Sequence, residues 1–184
     1  MPQVTLFSSA MLPEGVSVSS VEIDGRPHTS SRREAERAAV RLLIADAFGP
    51  NARLEHDADG SPRIEGIPAP PFISISHSID RAWLAVSRDM PVGIDAETPR
   101  AQLIRVAHRF LTPAEAALSP GIDLLLAYWT AKEAVYKVAR TRGLDPRQIE
   151  VDLTAARATL DDGRTYTLNF LERGLTLAMP SITT

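Results

Sequence analysis

"WTAKEAVYK", residues 129–137, places two lysines and a glutamate beside two large aromatics in one short helical stretch. At about 100° per residue, Trp129, Lys132, Glu133, Tyr136, Lys137 and Arg140 share one side of a helix expected from about Asp123 to Arg140. Ala127, Ala131, Ala134, Val135 and Val138 form the opposite, apolar side. That stripe docks the helix and leaves Glu133 and Lys137 one turn apart on a polar face. Taken alone, the pair has two readings. It is a surface i,i+4 ion pair worth ~0.3–0.5 kcal/mol, or it is a carboxylate for a metal ion beside an ammonium for a phosphate.

Upstream, "VGIDAE" at 92–97 reads as a strand. Alternation turns Val92, Ile94 and Ala96 inward and projects Asp95 and Glu97 together. Two carboxylates at i and i+2 make half of an oxygen site for a hard cation such as magnesium; they are equally a pair of solvated acids. Further upstream stands "SISHS" at 74–78. Strand parity puts His77 with Ile73 and Ile75, toward the core. Ser78 and Asp80 mark the strand's end, where a histidine flanked by hydroxyls can hold a phosphate. A zinc centre is not expected, because the 4 histidines include no ligand-spaced pair.

The rest of the chain organises around these segments. Strands are expected at 4–7 and 16–23, then a helix capped by Ser30 or Ser31 and running to about Phe48, where "GPN" stops it. Its apolar positions are Ala35, Ala39, Leu42, Leu43 and Ala47, and it carries Arg32, Arg33, Arg37 and Arg41. "DADGSPR" at 57–63 is turn chemistry. "FISIS" at 72–76 and "AWLAVS" at 82–87 form a hairpin. After the 91–97 strand, helix resumes through "LIRVAHRF" and restarts at "TPAEAAL", with Thr112 as N-cap and Pro113 at the first helical position. Short strands follow at 149–153, 157–161, 164–171 and 174–179, with "DDGR" as a hairpin turn. Segregated helices and strands point to an α+β fold.

Composition narrows the function classes. The 184 residues are 44% hydrophobic and 23% charged, an ordinary globular balance. A net charge of −3 gives no general attraction to nucleic acid or to anionic membranes, so an acidic partner needs a local basic patch. Without cysteine there is no disulfide, thiolate ligand or thiol nucleophile, which suits a reducing cytoplasm. The first 15 residues lack a signal-peptide pattern, and no uncharged run approaches the ~20 residues needed to span a bilayer.

Together, "SISHS", "VGIDAE", "RFLTPAE" at 109–115 and "WTAKEAVYK", in that order and spacing, resemble the 4′-phosphopantetheinyl transferases, in particular the surfactin-synthetase-activating (Sfp) type. The resemblance spans roughly residues 30–153. It implies a 4′-phosphopantetheinyl transferase fold, two similar α+β halves in a pseudo-twofold monomer. Residues 1–90 would form the nucleotide side and 91–184 would carry the metal site. Coenzyme A and Mg2+, with Mn2+ as the alternative ion, would bind in the cleft between them. The implied reaction moves the 4′-phosphopantetheine arm of coenzyme A onto a serine of an apo acyl or peptidyl carrier protein, releasing adenosine 3′,5′-bisphosphate. Residue by residue, Asp95, Glu97 and Glu133 match the metal-binding carboxylates, and Lys137 matches the lysine at the pyrophosphate. Glu133, directly or through a metal-bound water, and Lys137 would be the catalytic pair. Ser76 and His77 match residues near the adenosine 3′-phosphate, and Arg37 matches an arginine on the nucleotide phosphates. Two positions depart from the family: Ser61 replaces a lysine, with Arg63 expected to compensate, and Ser74 stands where asparagine is often found. Arg140, Arg142 and Arg147 are the expected carrier-docking surface. The competing reading is a non-catalytic module of the same fold that binds coenzyme A or a carrier protein.

Overall fold

A computed structural model describes residues 3–8, 10, 12–23 and 30–182, apart from the side chains of residues 30 and 31. The expected Ser30 or Ser31 cap therefore lies outside the described side chains. The first half contains β1 (Thr5–Phe7), β2 (Val16–Glu22), α1 (Ser30–Phe48), β3 (Arg53–His56), β4 (Pro62–Glu65), β5 (Phe72–His77) and β6 (Arg81–Ser87). Four of these strands form an antiparallel sheet in the order β1-β2-β6-β5. The β5–β6 hairpin runs from the pair Phe72↔Ser87 to His77↔Ala82, as the alternation predicts.

Helix α1 packs Ala39, Val40, Leu43 and Ile44 against Val21, Ile73, Ala82 and Leu84. The buried stripe is rotated from the expected one. Leu42 stays 40% exposed while Val40 and Ile44 are buried, and those two remove more apolar surface from water than Ala35 and Ala47 would. The turn expected at 57–63 joins β3 and β4, which pair only with each other. Those strands were not expected. Apart from Pro62, each carries a single apolar residue, Leu54 or Ile64, which is too little to show alternation.

The second half contains β7 (Gly93–Ala96), α2 (Gln102–Val106), α3 (Pro113–Ala117), α4 (Ile122–Ala139), β8 (Ile149–Asp152), β9 (Arg157–Leu160), β10 (Thr165–Glu172) and β11 (Leu175–Pro180). Its antiparallel sheet has the order β7-β11-β10-β9-β8. Leu125, Ala131, Val135 and Val138 of α4 pack with Ile149, Leu160, Tyr166 and Leu168. Thr112 caps α3 in a reciprocal capping box with Glu115, with Pro113 in the first turn.

The two halves share a core. Val18, Trp83 and Ala85 of the first sheet join Val92, Ile94, Ala96, Leu175, Leu177 and Met179 of the second half in one cluster. Edge strands β5 and β7 lie side by side without a backbone ladder, and serine hydroxyls bridge them. Ile94 N–H donates to Ser74 Oγ at 3.0 Å, and Ala96 N–H donates to Ser76 Oγ at 3.0 Å. This junction corrects one expectation. All of β7 is buried, so Asp95 is 7% exposed and does not project into solvent.

Candidate active site

The site begins where β7 meets α4. A Cβ on Gly93 would lie 2.0 Å from the carbonyl oxygen of Ala134, so only glycine lets the strand approach the helix backbone this closely. The approach brings Asp95 under the polar side of α4. Lys137 donates to Asp95 Oδ1 at 2.8 Å and to the carbonyl of Ile94 at 2.8 Å. Ser76 donates to the same Oδ1 at 2.9 Å. Both side-chain donors thus hold one oxygen of Asp95 and orient the other. Glu133, one turn before Lys137, has its carboxyl pushed above the usual range by burial, with the Asp95 charge adding to the effect and Lys137 opposing it.

Glu97 is held differently. Its Oε1 accepts from Thr98 N–H at 2.8 Å, and its Oε2 pairs with Arg100 at 2.5 Å. Its backbone is fixed by the β10–β11 turn, where Glu97 N–H donates to the carbonyl of Gly174 at 2.9 Å. Gly174 sits at φ +80°, and a Cβ there would meet the Glu97 carbonyl oxygen at 2.1 Å. Among the described residues, no three histidine or acidic side chains converge closely enough to hold a metal ion. The structure brings Asp95 and Glu133 together and turns Glu97 toward its own loop. The all-oxygen donor set, with two carboxylates crowded together and one oxygen of Asp95 left by its side-chain donors, suits a hard divalent cation.

Lys132 does not share the polar face assigned to it by the helical wheel. It is 1% exposed and pairs with Glu115 at 2.8 Å. It also donates to the carbonyls of Pro146 at 3.1 Å and Ile149 at 2.5 Å. Three acceptors match the three N–H groups of an ammonium. Burial pushes its pKa down, and Glu115 opposes the shift. Glu115 also accepts from Thr112 N–H at 2.8 Å and from Val151 N–H at 2.9 Å, tying α3, α4 and β8 together.

Lys137 stands in the wall of a cleft of ≈ 1240 Å³ between α1, the β3–β4 hairpin, β5 and the end of α4. Arg33, Arg37 and Arg41, spaced one turn apart on α1, line it with Lys137, Arg140 and Arg142, against two acids, Glu36 and Asp59. Val40, Ile44, Leu54 and Ile73 supply apolar lining. The protein is net negative, yet this cleft is strongly basic, which suits a polyanion carrying an apolar moiety.

Of the expected site residues, Arg37, His77 and Lys137 line the cleft. Burial lowers the pKa of His77 below the ordinary imidazole value; Glu36 opposes, while Lys137 and Arg32 add to the lowering. Ser76 is buried, with its hydroxyl engaged by Asp95 and Ala96, so it positions β7 rather than facing the cleft. Ser61 lines the cleft, but Arg63 is bound to Asp57 at 3.0 Å and to Glu65 and does not. Arg147 is committed to Asp145, whose carboxyl it draws down to about 2. Sequence reasoning missed Arg33 and Arg41 as cleft residues, although their spacing around Arg37 was readable.

No individual curated protein matches this chain. Among the described residues, no helix is long and apolar enough to cross a membrane. Residues 91–178, the stretch that holds Asp95, Glu97, Glu133 and Lys137, match the family model of the 4′-phosphopantetheinyl transferase superfamily, and this match supports a phosphopantetheinyl transferase in general terms.

Proposed function

We propose that this chain transfers the 4′-phosphopantetheine arm of coenzyme A to a serine of an apo acyl or peptidyl carrier protein. The observation that carries the reading is Lys137, which is bonded to Asp95 at 2.8 Å while lining a basic cleft. One of the expected metal carboxylates, Asp95, and the basic wall of the cleft thereby meet at one side chain. Residues 1–90 supply the nucleotide side and residues 91–184 the metal side of a pseudo-twofold, Sfp-type monomer acting in the cytoplasm.

Asp95, Glu97 and Glu133 would hold Mg2+ or Mn2+, which supplies charge neutralisation at the pyrophosphate. The chain's own groups do the rest. Arg37 and His77 hold the nucleotide phosphates, and burial of Ser76 and Ser74 at the strand junction keeps Asp95 in register with α4. The carrier serine oxygen attacks the phosphorus bearing pantetheine, and the pyrophosphate bond on the adenosine side breaks. Lys137 stabilises charge gathering on the leaving oxygen. Glu133, directly or through a water, takes the serine proton. Adenosine 3′,5′-bisphosphate leaves.

Intact mass of an apo carrier protein, measured after incubation with coenzyme A and Mg2+, tests the reading. One added phosphopantetheine is expected. An unchanged mass with coenzyme A still bound would replace transfer by a non-catalytic binding module.

A further inference from the structure

Arg140 ends α4 in the left-handed region, at φ 48° and ψ 35°. Glycine adopts that conformation freely at a helix C-terminus, and a residue with a Cβ does so at a cost. Ala69, Ser119 and Ala156 are the other non-glycine residues with positive φ among those described, and none of them lines the cleft. Arg140 does. Its paired carboxylate, Asp57, stands 3.7 Å away, beyond hydrogen-bond distance, and already takes Arg63 at 3.0 Å. The protein contact is therefore too loose to account for a strained arginine.

The end of α4 supplies a second reason. Unsatisfied carbonyls at a helix C-terminus repel anions, so a cleft that receives phosphate there needs cations on the terminal turn. Lys137 gives two of its three N–H groups to Asp95 and Ile94, which leaves a single donor for a ligand on that turn. We propose that Arg140 is a ligand-binding residue that holds a phosphate of coenzyme A at the α4 end of the cleft, and that its left-handed backbone is what aims it there. This rests on the coenzyme A reading above, and it moves Arg140 from carrier docking to nucleotide recognition.

Coenzyme A titrations by calorimetry, paired with thermal melts, test it. Arg140→Gly should weaken coenzyme A about 10-fold or more, the loss of a charge-assisted contact, without lowering the melting temperature. Asp57→Asn should tighten binding a few-fold, because it removes a competing negative charge 3.7 Å from the guanidinium. Wild-type affinity in Arg140→Gly, or weaker binding in Asp57→Asn, overturns the assignment. If Arg140→Gly melts below wild type, Arg140→Lys decides, since it keeps both the charge and the backbone constraint. Near-native affinity in that variant supports phosphate recognition, and lost affinity overturns it. A wild-type protein that binds no coenzyme A would sink the functional reading as well.

Discussion

Lys132 and Lys137 are the only lysines in the chain, and they lie on the same helix with opposite surroundings. Lys132 gives its three N–H groups to Glu115, Pro146 and Ile149, all within the protein. Lys137 has two acceptors in the protein, Asp95 and the Ile94 carbonyl, and its side chain is 28% exposed beside a cleft. An ammonium carries three donors, so Lys137 has one to offer a ligand and Lys132 has none. Donor saturation, more than residue type or helical phase, separates the two lysines here.

The comparison predicts different losses on the two sides. Asp95→Ala should abolish turnover, because it removes a proposed metal carboxylate and the anchor of Lys137 together. Since Asp95 is buried and accepts from Ser76 and Lys137, the variant should also lose stability, by about 1–3 kcal/mol for the unsatisfied donors. Near-normal turnover with metal present would remove Asp95 from the site. Lys132→Met should leave the chemistry intact and strike the framework. Breaking a buried pair from one side costs ~3–5 kcal/mol, read as a lower urea midpoint. Folded Lys132→Met with a greatly reduced kcat would mean that Lys132 acts in the reaction, and the contrast would fail.

Why was one lysine legible and the other not? Periodicity assigns α4 correctly, but Lys132 falls at the border of its stripe, one turn after buried Tyr128 and one turn before buried Val135. A border position faces solvent or core according to what packs beside it, and its partner Glu115 lies on α3. Glu115 itself was visible, as the third residue of the "TPAE" cap, yet a capping box says nothing about a second partner across the fold. Ser76 is a similar case. Alternation gives its strand but cannot show that β7 lies alongside without a ladder, so a hydroxyl read as a phosphate contact is spent joining two sheets. The motif order singles out three carboxylates, and the tertiary junction decides which of them are buried.

His77 sharpens the cleft side of the contrast. His77→Ala should weaken coenzyme A by ~1.5–3 kcal/mol and weaken dephospho-coenzyme A, which lacks the 3′-phosphate, much less. Equal weakening would make His77 structural. Its pKa lies below the ordinary 6.5 mainly through burial. In the free protein the unfolded chain therefore binds the extra proton more readily, so the stability share of His77 is present above about pH 6.5 and lost as pH falls through the depressed value. His77→Gln should flatten that acid-side loss in urea melts. A phosphate beside the ring favours the charged form, so coenzyme A should bind wild type more tightly as pH drops from about 7.5 to about 6. A slope retained in His77→Gln would assign it to another group.

The smallest effect concerns the two carboxylates of one short strand and its exit. Asp95 takes Ser76 and Lys137 on a single oxygen, whereas Glu97 gives one oxygen to Thr98 N–H and the other to Arg100. A cation bound with Asp95 and Glu133 must therefore draw Glu97 away from Arg100 to gain it as a ligand. Arg100 is 50% exposed at its side chain, and such pairs are worth ~0.2–1 kcal/mol. Arg100→Gln should accordingly tighten Mn2+ binding by only ~2–5-fold, measured by electron paramagnetic resonance on protein without substrate. The same change would follow from simply removing a nearby positive charge, so a double-mutant cycle with Glu97→Gln separates the causes. Direct competition makes the gain from Arg100→Gln vanish when Glu97 is already neutral. If the gain persists in the Glu97→Gln background, Arg100 acts through its field alone, and Glu97 is no more restrained than Asp95.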